Sequence, residues 1–142
     1  MSAPRRSFLD TNILVYCWID QDAKKRTKAR ALVRSALRNN DAIISYQVVQ
    51  EFLNVATRKP HHYMSQAEAQ LYLSKVLIPL CEVFPDPALY SNALSIAGET
   101  GWSFHDSLVV SSAIAAGCET LLTVDLQDGR VIRGLTIRNP FA

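Results

Sequence analysis

The chain has 142 residues, of which 49% are apolar and 20% are charged, and its formal net charge is +2. We expect a single globular domain spanning residues 1–142, long enough to bury roughly two-thirds of its unfolded surface. This composition excludes a disordered tail, and no apolar run reaches the roughly 18 residues that a membrane helix needs, so we expect a soluble cytoplasmic protein.

The N-terminal residues and the cysteines support the same expectation. Residues 1–6 lead into a strand instead of the apolar region of a signal peptide. Cys17, Cys81 and Cys118 are far apart, and each is embedded in apolar sequence. This pattern predicts reduced thiols in the core and argues against a disulfide framework or a zinc site.

Short β-like apolar runs alternate with longer helical ones along the chain. In the helix predicted over residues 22–40, Ala29, Leu32, Val33, Ala36 and Leu37 follow the spacing of one helix face. The predicted elements in chain order are strand 7–9, helix 12–18, helix 22–40, strand 42–44, helix 46–58, helix 65–80, strand 82–84, helix 87–100, helix 103–117, strand 120–124 and strand 135–137. This alternation predicts an α/β fold, a three-layer αβα sandwich with a mainly parallel central sheet.

Four acidic residues stand where a predicted strand ends or in the first turns of the following helix: Asp10, Glu51, Asp106 and Asp125. The carboxyl edge of an open α/β sheet is the rim that usually binds ligands. Carboxylates that converge there raise one another's pKa and do not all stay ionised without a cation. Oxygen-only ligands indicate Mg²⁺ or Mn²⁺ rather than zinc, and such a cluster is typical of phosphodiester chemistry.

Each acid also has an ordinary structural explanation. Asp10 is a favoured N-cap for the next helix, and Glu51 borders the buried face of its own helix. Asp106 stands three residues after Ser103, as in a capping box, and Asp125 lies in a turn sequence. These alternatives remain open for each residue singly, whereas the four positions together favour a metal site.

Several segments of the sequence together resemble a known family. They are Phe8-Leu9-Asp10-Thr11-Asn12, Gln50-Glu51-Phe52, Asp106-Ser107-Leu108, Ala116-Gly117-Cys118, Leu121-Leu122-Thr123-Val124-Asp125-Leu126 and Asn139-Pro140-Phe141. Over essentially its whole length the chain resembles the PIN domain, specifically the VapC-like ribonuclease toxins of bacterial toxin–antitoxin modules. The resemblance implies a PIN fold, Mg²⁺- or Mn²⁺-dependent endoribonuclease activity on RNA, a homodimer, and neutralisation by a small antitoxin protein.

The resemblance also implies roles for individual residues. The catalytic and metal-binding acids would be Asp10, Glu51, Asp106 and Asp125, and Asn12 and Thr123 would support them by hydrogen bonding. Two positions depart from the family pattern. Val124 stands where many relatives have an acid, which puts a fifth carboxylate in doubt. His105 stands where many have an aromatic residue, and it is a candidate substrate contact or a histidine beside a helix cap.

Basic residues are concentrated in the helix predicted over residues 22–40, which has seven Lys and Arg residues and no acid between Asp22 and Asp41. Arg26, Arg30, Arg34 and Arg38 recur every four residues, and we predict that this row binds the RNA backbone. A solvated helix face and a contact with the antitoxin are the alternatives. The segment 58–63 mixes charge with aromatic rings, as an RNA-stacking loop or an ordinary exposed loop would.

Other functions fit the sequence less well. A haloacid-dehalogenase-like phosphatase needs a second Asp two residues after the first, where this chain has Asn12, and no glycine-rich loop for a dinucleotide follows the first strand. The strongest non-enzyme alternative is a catalytically weak PIN scaffold that binds RNA or a protein without cleavage. The presence of all four acids favours the nuclease.

Overall fold

The computed structural model describes residues 6–19 and 21–142, and a central sheet organises them. The strands are β1 Ser7–Leu9, β2 Ala42–Ser45, β3 Cys81–Val83, β4 Thr120–Leu122, β5 Val131–Ile132 and β6 Leu135–Arg138. The helices are α1 Thr11–Tyr16, α2 Ala23–Asn39, α3 Tyr46–Ala56, α4 Gln66–Tyr72, α5 Ile78–Leu80, α6 Pro87–Thr100 and α7 Phe104–Ala115. Residues 1–5, which carry most of the predicted N-terminal lead into β1, lie outside the described residues.

The strand order is β3-β2-β1-β4-β6-β5. All neighbouring strands pair in parallel except β5, which is antiparallel to β6. The helices flank this sheet, with α2 and α3 against β2 and α7 against β4. The predicted α/β sandwich with a mainly parallel sheet is therefore confirmed.

The order of strands reverses between β1 and β4. From β1 the chain moves outward to β2 and β3, and it then returns to the other side of β1 as β4. Backbone hydrogen bonds continue past the strand ends, from Asp10 N to Leu122 O at 3.0 Å and from Thr123 N to Arg138 O at 3.0 Å. Asp10 and Thr123 therefore emerge side by side at the carboxyl edge, where open α/β sheets form their ligand crevice.

Apolar side chains of the strands are buried against both layers of helices. Phe8, Leu9, Ile43, Ile44 and Leu121 are fully buried, as expected for a parallel sheet that is covered on both faces. Side chains of α3 and α6, including those of Val48, Phe52 and Ile96, complete the same core. This core holds the ends of β1 and β4 in a fixed relationship.

Several predicted boundaries are wrong. The helix predicted over residues 65–80 is interrupted by a π-helical turn, Leu73–Leu77, just before Pro79, which has no N–H for the carbonyl four residues earlier. Strand β3 begins at Cys81 and ends before Phe84. Strand β4 ends at Leu122, two residues before the predicted end, and the hydroxyl of the next residue, Thr123, donates to Asp10. Leu37, expected on the buried face of α2, is 41% exposed.

The hairpin formed by β5 and β6 was not predicted. Its two-residue turn consists of Arg133 and Gly134, both with positive φ, at 49° and 82°. This is the backbone conformation of the turns that match the twist of an antiparallel pair. Arginine is unusual at a positive φ, so Gly134 was the only residue of the turn that indicated a hairpin in the sequence.

Two further expectations concern thiols and membranes. Cys17, Cys81 and Cys118 are free, and burial raises the pKa of Cys17 and of Cys118 to about 11. These two thiols are therefore protonated at neutral pH. Within the described ranges, the helices are too short or too polar to cross a membrane.

Candidate active site

Asp10 lies at the centre of the carboxyl edge of the sheet. It follows the buried strand β1, caps α1 and is itself only 6% exposed. Its Oδ1 accepts a hydrogen bond from Thr11 N at 2.8 Å, and its Oδ2 accepts one from the Thr123 hydroxyl at 2.7 Å. The capping explanation for Asp10 is thus correct, but it uses only one of the two carboxylate oxygens.

The protonation of Asp10 is shifted by its surroundings. Burial raises the pKa of this carboxyl from 3.8 to about 6, against the opposing effect of the hydrogen bonds from Thr123 and Thr11. The negative charges of Asp125 and Glu51 raise the same pKa further. Three of the four predicted acids therefore lie close enough to act on one another electrostatically.

The loop after β4 brings Asp125 to the same edge. The Thr123 hydroxyl oxygen, which donates to Asp10, also accepts a hydrogen bond from Asp125 N at 3.1 Å. On the other side, Asn12 Nδ2 lies 3.2 and 3.3 Å from the two carboxylate oxygens of Asp125. Asn12 and Thr123 thus contact the acids that they were predicted to support.

Glu51 reaches the site from α3. Its Oε2 accepts a hydrogen bond from the Thr11 hydroxyl at 2.8 Å, and its Oε1 lies 3.0 Å from His105 Nε2. The angles at the second contact do not meet those of a hydrogen bond, so Oε1 is buried without one. On its far side, the His105 ring is 3.4 Å from Gln47 Nε2.

These residues line one open cleft of about 360 Å³. Its walls come from the start of α1, one face of α3, the start of α7 and the loop after β4. The lining residues are Asp10, Thr11, Asn12, Val15, Glu51, Asn54, Val55, Arg58, His105 and Asp125. Three of the four predicted acids, Asp10, Glu51 and Asp125, thus lie around one solvent-accessible space.

Asp106 is the predicted acid that this cleft does not include. It is partly buried in the first turn of α7, where its N–H donates to Ser103 Oγ at 3.1 Å. The reciprocal bond of a capping box is not formed, and the Asp106 carboxylate makes no hydrogen bond or ion pair with the residues that the structure describes. Its neighbour His105, rather than Asp106 itself, faces the cleft.

The kind of donor present fits a hard divalent cation. Asp10, Glu51 and Asp125 offer carboxylate oxygens, which such a cation prefers as ligands. The buried Oε1 of Glu51 accepts no hydrogen bond, and a bound cation would supply the positive charge that it lacks. The arrangement is nevertheless not that of a formed metal centre. Across residues 6–19 and 21–142, no three His, Cys, Asp or Glu side chains are grouped closely enough to hold a metal.

Comparison with known proteins identifies the family. The PIN domain family model matches residues 7–131, which is most of the chain. The chain belongs to the PIN domain family. No match was found among curated proteins.

Solved structures share the PIN fold with this chain. A toxin–antitoxin complex from Klebsiella pneumoniae is 16% identical, with a TM-score of 0.67, over 94% of this chain and 97% of that one. VapBC2 from Rickettsia felis, bound to a promoter DNA fragment, is 21% identical, with a TM-score of 0.65, over 94% and 97%. VapC20 from Mycobacterium tuberculosis, a sarcin–ricin loop cleaving toxin, is 23% identical, with a TM-score of 0.59, over 84% and 89%.

The predicted RNA-binding row of this PIN domain includes residues that line a different groove. Arg30 and Arg34 line it together with Trp18, Leu37 and Tyr72, and it has no lining residue in common with the acidic cleft. The Nε of Arg30 donates to Cys17 O at 2.9 Å. Arg26 and Arg38, at the two ends of the row, are not among the residues that line either space.

Sequence reasoning missed part of the PIN domain's cleft. Asn54, Val55 and Arg58 follow Glu51 at intervals of three, four and seven residues, so one face of α3 continues from the acid to the helix end. Arg58 was predicted as the last residue of this helix and as the start of an RNA-stacking or exposed loop, but not as part of the acidic cleft. The helical spacing from Glu51 was the signal that could have found it.

Proposed function

We propose that this PIN domain is a Mg²⁺- or Mn²⁺-dependent endoribonuclease that acts in the cytoplasm as the toxin of a toxin–antitoxin pair. The observation that carries the proposal is the cleft in which Asp10, Glu51 and Asp125 share one solvent-accessible space. Burial raises the pKa of Asp10, the charges of Asp125 and Glu51 raise it further, and a cation would relieve that repulsion. The described activity of VapC20, a toxin that cleaves the sarcin–ricin loop, supports RNA as the substrate.

The residues proposed to hold the cation are Asp10, Glu51, Asp106 and Asp125. When bound, such a cation supplies positive charge beside the scissile phosphate and lowers the pKa of water. The family pattern supports including Asp106, whose carboxylate in the first turn of α7 makes no hydrogen bond or ion pair with the described residues. The carboxylates would have to move closer together than they lie in the structure.

The protein's own contribution is to hold and orient the acids. Thr11 N–H and the Thr123 hydroxyl bind both oxygens of Asp10, so this carboxylate has a set orientation before any ligand arrives. Asn12 holds Asp125, and the Thr11 hydroxyl holds one oxygen of Glu51. These hydrogen bonds already restrict the three side chains, so less conformational entropy is lost when a cation and a phosphate bind.

The proposed protein partners are a cognate antitoxin and a second copy of this chain. Structural neighbours from Klebsiella and Rickettsia were solved as toxin–antitoxin complexes. The groove lined by Trp18, Arg30, Arg34, Leu37 and Tyr72 offers apolar rings beside two cations, which suits an amphipathic segment with acidic residues. The predicted RNA role of the row Arg26, Arg30, Arg34 and Arg38 stays a prediction.

The deciding experiment is incubation of the purified protein with total cellular RNA, with EDTA or with added Mg²⁺ or Mn²⁺, followed by mapping of the new ends. We expect cleavage only with the cation. Asp10→Asn and Asp106→Asn should abolish it, whereas Asp22→Asn, which keeps a favoured helix cap outside the cleft, should not. Unchanged cation-dependent cleavage by both site variants would refute the assignment.

The catalytically weak scaffold remains the second candidate, because of one observation. The described acids are held by threonine and asparagine side chains, and no three of them are grouped as metal ligands. This candidate predicts that RNA binds but is not cut at any Mg²⁺ or Mn²⁺ concentration. The same incubation, combined with a binding measurement, separates the two functions.

A further inference from the structure

Arg58 is a positively charged residue just beyond the helix that carries Glu51. Glu51, Asn54, Val55 and Arg58 all line the acidic cleft, and Arg58 lies two residues beyond the end of α3. Among the described residues that line the cleft, it is the only lysine or arginine. A permanent positive charge therefore lies on the wall of a cleft that otherwise presents carboxylates.

The charge on Arg58 is not used within the protein. Its side chain is exposed, and it makes no ion pair or hydrogen bond with the residues that the structure describes. The acids of the cleft are instead held by Thr11, Asn12 and Thr123. An arginine that lines a cleft without a partner is available for an anion from outside, and its planar guanidinium suits a phosphate.

The surface that continues from Arg58 has the same character. No Asp or Glu occurs from residue 52 to residue 67, and Lys59, His61, His62 and Tyr63 are all exposed. The segment is held against the end of α3, since Tyr63 N and Met64 N both donate to Ala56 O, at 2.8 and 3.2 Å, and the Met64 side chain is buried. An extended polyanion that leaves the cleft along this segment meets no negatively charged side chain of the segment.

We propose that Arg58 binds a backbone phosphate of single-stranded RNA next to the scissile bond, so that the strand leaves the cleft across the C-terminal end of α3. This inference rests on the proposed ribonuclease function and deepens it. An acidic cleft repels a polyanion, and Arg58 supplies the opposite charge at the point where the strand enters or leaves. Arg58 is thus a substrate-positioning residue rather than a ligand of the cation.

The test is a salt titration of binding to a fluorescent single-stranded RNA, in EDTA so that cleavage does not contribute. Arg58→Ala should weaken binding about tenfold at low salt, because a charge-assisted contact is lost. It should also reduce the slope of log K against log salt concentration by about 0.7, the value for one phosphate on a single strand. Arg58→Lys should retain part of the affinity. Lys75→Ala removes one exposed charge outside the cleft and serves as the matched control.

Cleavage assays give a second readout. With Mg²⁺ present, Arg58→Ala should raise KM about tenfold with a smaller change in kcat. Suppose that the wild-type protein binds and cuts RNA, and that Arg58→Ala has the same KM and the same salt dependence of RNA binding. The inference about Arg58 is then wrong, and the proposed function stands. The same conclusion follows if Arg58→Ala weakens only antitoxin binding. If wild-type protein neither binds nor cuts RNA, the proposed function fails and this inference with it.

Discussion

The hydroxyl of Thr123 donates to Oδ2 of Asp10 at 2.7 Å, across 113 positions of the sequence. Both residues are buried, and each follows one of two neighbouring parallel strands, β4 and β1. The same hydroxyl oxygen accepts the N–H of Asp125 at 3.1 Å. One threonine therefore joins two of the candidate catalytic acids, and the pairing of β1 with β4 sets their separation.

Thr123→Val should remove the hydroxyl that joins Asp10 to Asp125 while keeping the shape of the side chain. The buried Asp10 carboxylate loses a donor and Asp125 N loses its acceptor, so we expect a loss of about 1–2 kcal/mol in the free energy of unfolding at pH 8. Cation-dependent cleavage should fall by roughly tenfold. Urea denaturation and a cleavage assay measure the two effects. Thr123→Ser keeps the hydroxyl and should behave nearly as wild type; an equal loss in both variants would assign the effect to packing.

Asp10→Asn should stabilise the cation-free protein at neutral pH. The folded-state pKa of Asp10, about 6, lies above its ordinary value of 3.8, so the folded chain binds this proton more tightly than the unfolded chain. The stability from Asp10 is therefore complete below about pH 3.8 and is lost as the pH rises through about 6. An amide that cannot ionise avoids this loss, which is on the order of 3 kcal/mol above pH 7.

Urea denaturation in EDTA at pH 4.5 and pH 8 measures that difference. The gain for Asp10→Asn over wild type should be clear at pH 8 and small at pH 4.5. Asp22→Asn, at an exposed helix cap, provides the comparison for a change of net charge alone. A gain that is the same at both pH values would mean that ionisation of Asp10 is not its source.

Mg²⁺ or Mn²⁺ should raise the melting temperature of the wild-type protein. A cation that binds only the folded state stabilises it by about 1.4 kcal/mol at roughly ten times its Kd, which corresponds to several degrees. The shift should be larger at pH 8 than at pH 5, because Asp10 is mostly protonated at pH 5 and ionised at pH 8. Differential scanning fluorimetry measures it. Asp10→Asn should lose most of the shift, and a shift retained in full would exclude Asp10 as a ligand.

Replacing both Arg30 and Arg34 by Ala should weaken antitoxin binding about tenfold or more. These residues line the groove with Trp18 and Tyr72 rather than the acidic cleft, and charged contacts to an acidic partner segment would be lost. Calorimetry with the purified antitoxin measures the loss of partner binding, and a salt titration with RNA measures any loss of substrate binding. Unchanged antitoxin affinity with a shallower salt slope for RNA would instead assign the row to the substrate.

Much of this fold was predictable because its signals are local. The strand runs around Phe8, Ile43 and Leu121 and the caps at Ser45 and Ser65 act within a few residues, and the structure has them as predicted. The break in the helix after Tyr72 was not foreseen, because apolar spacing does not distinguish an α-helix from a π-helical turn. The β5–β6 hairpin was missed because its turn uses Arg133 at a positive φ.

The sequence by itself determined the class of fold, the family resemblance and the acids at the ends of strands, since apolar periodicity and short motifs are properties of neighbouring residues. Only the tertiary structure decided which of these residues meet. It joined Asp10 to Thr123, brought Arg58 into the cleft, separated Arg30 and Arg34 from it and kept Asp106 out of its lining. The physical reason is that distances between remote residues follow from strand order and helix packing, which local periodicity does not encode.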